Sequence, residues 1–407
     1  MSRPTDPPWD LSHFIAVPGP LPRLRFRQEG WKEQPHTSVL VAKELITGFE
    51  SQEQWEIRKK ITNPYEAIFS SNEERSFPSL AIAQPLSRSY FKMVEMLHVL
   101  EFWTATAAAP APASSALGMQ APFVSAHVCE GPGGFIQCTL QQAKQRGIPI
   151  KGIVAMTLKP TKSHIPGWRR SIGFLRKNPE VLLEYGEDQT GDVLIPQNQA
   201  AFTRRIKSLA AEGATLFTAD GGFDFSVDYS KQELHAFPLL LASFTMGLQC
   251  LRPGGSMIIK LFDIYSEATQ DLFLGTAALF ARFTLYKPAT SRPCNSERYF
   301  LASGFYGSTP SALAWIAHLQ SAAIAHGRSP LTRLVDPPTG LSQCWSPPLL
   351  AAVQEQIKYQ EALQIQSIHE TIHFDKSTIE ERITDSLRVS EIWCKTFGVP
   401  YVKPTGW

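Results

Sequence analysis

Between residues 123 and 305, short apolar runs alternate with longer segments of helical spacing. In order they are FVSAHVCE, a helix after Gly134, KGIVAMTL, ATLFTAD, a helix around Leu240, SMIIKLF, a helix through DLFLGTAALFARF, and RYFLASGF. Runs apolar on both faces belong inside a protein, and their alternation with helices predicts βαβ units wound into a mostly parallel sheet. Ahead of them, SRSYFKMVEMLHVLEFW keeps Phe91, Val94 or Met96, Leu97 and Leu100 on roughly one face, which predicts a helix. The stretch 104–122, rich in small residues and interrupted by proline, reads as a loop or flexible tether.

The flanks carry weaker patterns. Up to residue 85 the chain is polar and turn-rich, an N-terminal extension whose fold no period defines. After Gly304 it becomes helical and polar, from AAVQEQIKYQEALQIQSIHETIHF to EERITDSLRVSEIWCKTF, predicting a C-terminal helical region packed on the sheet domain. The expected divisions are therefore 1–85, 86–307 and 308–407. The longest apolar run, 236–251, contains Pro238 and Gln249 and is too short to span a bilayer, so it predicts a buried core helix and no membrane association.

Composition narrows the field. With 407 residues, 43% hydrophobic, 19% charged, 31 Pro and 26 Gly, the chain suits a Pro-rich α/β protein and excludes wholesale disorder. Its 39 Lys+Arg against 37 Asp+Glu leave a net charge of +2, so any nucleic-acid site must be a local patch. Six dispersed cysteines without a CxxC pair fit reduced thiols, and the first residues, MSRPTDPPWDLSHF, lack the apolar core of a secretory signal. An intracellular location, nuclear or cytoplasmic, is the expectation.

The candidate chemistry lies at strand ends. AHVCEGPGGF places Glu130 at the end of a strand, then Gly131, Gly133 and Gly134 before a helix, which lets backbone approach a ligand at the helix N-terminus. It is not GxGxxG, and no GxxxxGK[ST] occurs, so dinucleotide and P-loop readings lose ground. Such a turn suits the methionyl part of S-adenosylmethionine, and a glycine turn needed only for packing is the alternative. Asp220 ends ATLFTAD, Lys260 ends the apolar SMIIK, and Glu297 precedes the last strand. A charge on an apolar strand is expensive unless paired or functional, although strand-end carboxylates are often caps or surface ion pairs.

In this order, SRSYFKM, CEGPGGF, MTLKP, YGEDQTGDV, TADGGFDFS, GGSMIIKLFD and KPATSRPCNSERY resemble the FtsJ-like ribose 2′-O-methyltransferases, and within them the cap-specific mRNA enzymes of eukaryotes and large DNA viruses. The resemblance spans roughly residues 87–305. It implies a Rossmann-like class I methyltransferase sheet, S-adenosylmethionine (AdoMet) as cofactor, and RNA, foremost 5′-capped mRNA, as substrate. A viral member would work in a viral factory or virion. It also implies a catalytic Lys-Asp-Lys-Glu tetrad on Lys92, Asp220, Lys260 and Glu297, with no metal.

Lys260 is then the candidate base, its neutral form favoured by burial and by Lys92. Glu130, Gly131, Pro132, Gly133, Gly134 and Phe135 would surround the cofactor, with Asp192 and Asp220. Met156-Thr157-Leu158-Lys159 lacks the ribose-binding acid common at that strand end. Arg88, Arg292, Asn295 and Ser296 would position phosphate or ribose, with local caps and salt bridges as the alternative. The basic-aromatic stretches RLRFRQEGWK and GWRRSIGFLRK offer an RNA or cap platform, with solvated faces as the commoner alternative for such stretches. The flanks could recruit a protein partner.

Other readings compete. His369-Glu370-Thr371-Ile372-His373 matches HExxH of zinc proteases, but no third ligand follows and a polar helix face explains it. Cys294 follows a proline like a cytosine-methylating nucleophile, yet lies outside the loop such a nucleophile occupies, and packing explains it. TADGG stands where base N-methylating enzymes carry [DN]PP[YF]. Ribosomal or transfer RNA is the alternative substrate, and a catalytically idle methyltransferase fold that binds RNA is the alternative class.

Overall fold

The computed structural model describes residues 14–17, 21–28, 38–47, 49, 51–70, 77–104, 123–160, 167–222, 232–337 and 343–403. The predicted tether, apart from Thr104, lies outside the described residues.

The apolar runs become the sheet. β2 (Phe123–Val128), β3 (Ile150–Met156), β4 (Val181–Leu183), β5 (Ala214–Ala219), β6 (Leu251–Leu261), β7 (Phe280–Tyr286) and β8 (Arg298–Phe305) form seven strands in the order β4-β3-β2-β5-β6-β8-β7. All neighbours run parallel except β8, which is antiparallel to both β6 and β7. β2 and β5 are buried at every position, as central parallel strands covered on both faces must be. The chain winds one way from β2 to β3 and the other way to β5, so a cleft opens at the carboxyl ends of these strands.

Helices cover both faces. α3 (Ser89–Val99) and α4 (Gly134–Gln145) pack together, and α6 (Pro196–Leu209), α7 (Gln232–Cys250) and α8 (Glu267–Ala277) complete the layers around the short α5 (Ile172–Lys177). The run 236–251 is the buried α7, as expected, with Leu251 opening β6. Among the described residues no helix is long and apolar enough to cross a membrane.

Two local readings need correction. The helix read through DLFLGTAALFARF stops at Ala277, and β7 begins at Phe280. No Gly or Pro marks that change, and Leu279, Phe280 and Phe283 continue the helical spacing, which hid the strand. β4 escaped notice because its three residues carry no period.

The N- and C-terminal flanks pack on each other and on the sheet domain. β1 (Arg23–Arg27) pairs antiparallel with β9 (Arg333–Asp336), while α1 (Ser38–Thr47) and α2 (Gln52–Ile61) pack on α10 (Pro347–Ile372). α9 (Pro310–His326) lies on α7, and α11 (Ile379–Thr396) packs on the 3-10 turn Glu66–Ile68. Buried pairs stitch these contacts: Lys43 Nζ lies 2.6 Å from Asp263 Oδ2 just past β6, and the Thr62 and Thr371 hydroxyls are 2.9 Å apart. Ile15 exchanges two backbone hydrogen bonds with Phe283 on the edge strand β7.

Candidate active site

The glycine turn joins β2 to α4. Gly133 has φ +107°, a left-handed conformation that suits glycine. Gly134 permits a close approach: a Cβ there would come 2.2 Å from Ser89 Oγ and 2.8 Å from Tyr90 N, so its absence lets α3 lie against the turn. Pro132 follows Gly131 through a cis peptide, and its carbonyl accepts a hydrogen bond from Ser171. Across the cleft, Gly191 (φ +73°) lets the Asp192 loop close on Thr157 O, which a Cβ would approach to 2.1 Å. Asn198 on α6 holds that loop by donating to Asp188 Oδ1 (2.9 Å) and Asp192 O (3.0 Å). The sequence reading missed Asn198, whose only signal is a polar residue on a buried helix face.

The four tetrad residues arrive from α3, the ends of β5 and β6, and the segment before β8. In register, Ala219 faces Ile259 and Lys260 faces Tyr299, which sets Asp220, Lys260 and Glu297 along one rim. Lys92 Nζ lies 2.6 Å from Glu297 Oε1, and Lys260 Nζ lies 3.3 Å from Asp220 Oδ1 while donating to Asp220 O at 2.8 Å. The four side chains are only 12 to 15% exposed. Tyr299 OH donates to Asp220 Oδ1 at 2.8 Å and Ser291 Oγ to Glu297 Oε1 at 2.7 Å.

The electrostatics correct one expectation. Burial pulls Lys260 toward the neutral amine, but Asp220 and Glu297 outweigh it and hold the group above the ordinary lysine range. Burial likewise works against the Glu297 anion, yet Lys92, Lys260 and Lys287 keep its carboxyl well below the usual range. Lys287, absent from the sequence reading, donates to Asn295 O (2.6 Å) and Glu297 O (2.7 Å), and burial brings it down to about 7.

Other expected residues are placed differently. The Glu130 carboxylate turns inward, 3.0 Å from His127 Nδ1 and bonded by the Thr218 hydroxyl, with its side chain 1% exposed. Phe135 is buried against Tyr299 at 6.0 Å. Both side chains are thus packed beneath the turn. The Arg88 and Arg292 guanidinium groups converge on buried Glu66, at 3.3 and 2.9 Å, and Arg88 also donates to Tyr65 O and Thr290 O. The Asn295 carbonyl accepts from Lys287 and Ser291, and Ser296 Oγ is buried and accepts from Gln364 at 3.3 Å. The Ser296 hydroxyl faces α10.

The cleft's chemistry fits AdoMet. Burial pushes the half-buried Cys129 thiol up to about 12, and it senses Glu130, Lys260, Asp192 and Asp220, which sets the turn, both cleft carboxylates and the lysine around one point. A cofactor carrying an ammonium, a sulfonium and ribose hydroxyls meets carboxylate acceptors there. Trp168, packed 3.5 Å from where a Gly133 Cβ would stand, keeps a buried indole N–H without a hydrogen-bond partner among the described residues. In place of a ribose-binding acid at the end of β3, Lys159 Nζ sits 4.2 Å from the Tyr185 ring centroid.

The competing motifs resolve structurally. His369 and His373 stack at 6.2 Å on the exposed face of α10, and the Glu370 carboxylate accepts from Gln366. No group of three His, Cys, Asp or Glu side chains among the described residues is placed to hold a metal. Cys294 is buried with Ala42, Trp55 and Ile368. Of the basic stretches, Arg25 and Arg27 pair with Asp336 across the β1–β9 ribbon, whereas Arg169 and Arg170 are exposed beside the glycine turn. Residues 29–32 of the first stretch lie outside the described residues.

Residues 85–305, more than half of the chain, match the family described as FtsJ-like methyltransferase. A cap-specific mRNA (nucleoside-2′-O-)-methyltransferase 1 from Xenopus laevis is 32% identical over 276 residues, covering 66% of this chain and 30% of that protein. The protein of the same name from Trypanosoma cruzi is 32% identical over 202 residues, 49% of this chain and 53% of its own length. The chain thus spans between 30% and 53% of the length of these curated relatives. A solved ribosomal RNA methyltransferase from Plasmodium falciparum aligns with a TM-score of 0.35 and 16% identity, over 54% of this chain and 98% of that one.

Proposed function

Because this chain belongs to the FtsJ-like methyltransferase family, whose cofactor is AdoMet, we propose that it methylates a ribose 2′-hydroxyl of RNA, at the first transcribed nucleotide of capped mRNA. The observation that carries the reading is the pair of lysine–carboxylate contacts, Lys92–Glu297 and Lys260–Asp220, on the rim beside the glycine turn. The cap-specific relatives support the choice of substrate.

In this mechanism, bound AdoMet supplies an electrophilic methyl on a sulfonium. The ribose hydroxyl is a poor nucleophile at neutral pH, so the chain must orient it in line with that methyl and accept its proton. Lys260 orients the hydroxyl oxygen by donating to it. Its carboxylate partners favour the ammonium, so the hydroxyl proton goes to the minority amine form of Lys260 as the methyl is transferred, and Asp220 and Glu297 stabilise the ammonium that results. Asp220 and Tyr299 fix Lys260, while Lys92 and Glu297 close the far side of the ribose. Arg292, part-exposed and tied to Glu66 through Nε and Nη2, faces the RNA backbone, as do Arg169 and Arg170 at the rim, while Arg88 is held inward by Glu66 and three backbone carbonyls.

Methyl transfer from labelled AdoMet to capped RNA, uncapped RNA and capped RNA already 2′-O-methylated at its first nucleotide tests this. Transfer is expected only to the first, and Lys260→Ala should slow it by roughly 10³-fold with AdoMet affinity retained. Equal transfer to all three RNAs, or full activity in the variant, would overturn the reading.

A further inference from the structure

Arg88, Lys92 and Glu95 stand at spacings of four and three along α3 and so share one face. All three reach the same segment. Arg88 Nε donates to Thr290 O at 3.2 Å, Lys92 meets Glu297 at 2.6 Å, and Glu95 Oε1 accepts from Tyr286 OH at 2.7 Å and from Ala289 N at 2.5 Å. The helix thus grips the stretch 286–297 at its start through Glu95 and at its finish through Lys92. Lys287 draws that stretch together by bonding to Asn295 O and Glu297 O.

Glu95 is wholly buried, and the groups bonded to it are N–H and O–H donors, with no cation among them. A buried carboxylate without a counter-charge is costly where packing alone is needed, since an apolar side chain would fill the space more cheaply. Convergent donors are what such an anion satisfies. The third donor is Trp393 Nε1 of α11, 2.7 Å from Glu95 Oε2, whose indole packs edge-on against Phe91 at 6.0 Å. Through Trp393 the helix α11 therefore reaches Glu95 and the segment it holds, which Gln364 of α10 also touches at Ser296.

We propose that Glu95 is a positioning residue for methyl transfer, holding, with Trp393, the 286–297 segment so that Glu297 meets Lys92. This rests on the methyl-transfer reading and adds the C-terminal helix to the machinery of that site.

The test compares wild type, Glu95→Gln, Trp393→Phe and a control, Leu319→Ala, which opens a cavity in α9 away from the cleft. Single-turnover transfer at saturating AdoMet and capped RNA, AdoMet affinity, melting temperature and amide exchange of 286–297 are measured on the full chain. Glu95→Gln should slow transfer about tenfold or more and Trp393→Phe about threefold, both with AdoMet affinity within twofold and faster exchange in 286–297. Leu319→Ala should lower the melting temperature without either effect. Trp393→Phe removes the N–H donor while leaving an aromatic ring against Phe91, and carries the test where Glu95→Gln does not fold.

Slowing no greater than in the control at equal loss of melting temperature, or unaltered exchange in 286–297, overturns the positioning role. A wild-type protein that methylates no RNA instead sinks the methyl-transfer reading, while exchange still decides whether Glu95 and Trp393 hold the segment.

Discussion

On its β2–β3 side the cleft is walled by backbone: a glycine turn, a loop closed on Thr157 O, and an asparagine bonded to main chain. On its β5–β6–β8 side it is walled by charge, with Lys92, Asp220, Lys260 and Glu297 in contact and Glu66, Asp263 and Lys287 close behind. The two walls respond differently to change. Removing an atom from the first leaves a shape that can relax, and adding one does not fit. On the second, removing a single charge strands its partner in low dielectric.

The sharpest break comes from Lys43→Met. It leaves the Asp263 carboxylate, 1% exposed, without its cation, and breaking one partner of a buried pair costs about 3–5 kcal/mol. Urea unfolding should show that loss, and a Lys43→Met/Asp263→Asn double variant should recover part of it. Full stability in the single variant would show that the pair is solvated.

Next comes acid–base behaviour. Burial raises Glu95 from its ordinary 4.5 to about 7 despite its donors. The folded chain thus binds this proton more tightly than the unfolded one, so the contribution is greatest below pH 4.5 and declines as pH rises toward 7. Wild type should lose stability relative to Glu95→Gln across that window, by on the order of 3 kcal/mol at most. Parallel stability curves for the two proteins between pH 4.5 and 7 would contradict the burial argument.

The smallest effect belongs to the backbone wall. Gly191→Ala asks an L side chain to hold φ +73° against Thr157 O, a strain of about 1–3 kcal/mol. Calorimetry should find AdoMet binding about ten- to a hundredfold weaker, with transfer at saturating cofactor changed only a few-fold. A loss confined to the transfer rate would erase the distinction between the walls.

The same division explains what could be read from the chain. The backbone wall is contiguous, so AHVCEGPGGF and TGDV display it locally, and the all-apolar β2 and β5 made the sheet's centre plain. The strand-end positions of Asp220 and Lys260 were visible for the same reason, and the structure pairs them with each other, as it pairs Lys92 with Glu297. The two helices after residue 346 were legible from their own segments, but the N-terminal flank and the way the flanks pack were not, because what orders them are pairs far apart in sequence, such as Lys43 with Asp263 and Thr62 with Thr371. Glu66, Glu95, Asn198 and Lys287 each look like ordinary polar residues until their distant partners are known. β7 was lost inside an apolar run that fits a helix and a strand alike.

One further consequence follows from the margins of the sheet. β4 is three residues long, and β7 carries Ile15 bonded in both directions to Phe283. Open strand margins recruit strands from neighbouring copies, so a brief margin on one side and one bridged at its middle by Ile15 on the other limit self-association of the folded chain. A nick between Ile15 and β1 would free that cover and, without touching the chemistry, favour clumping.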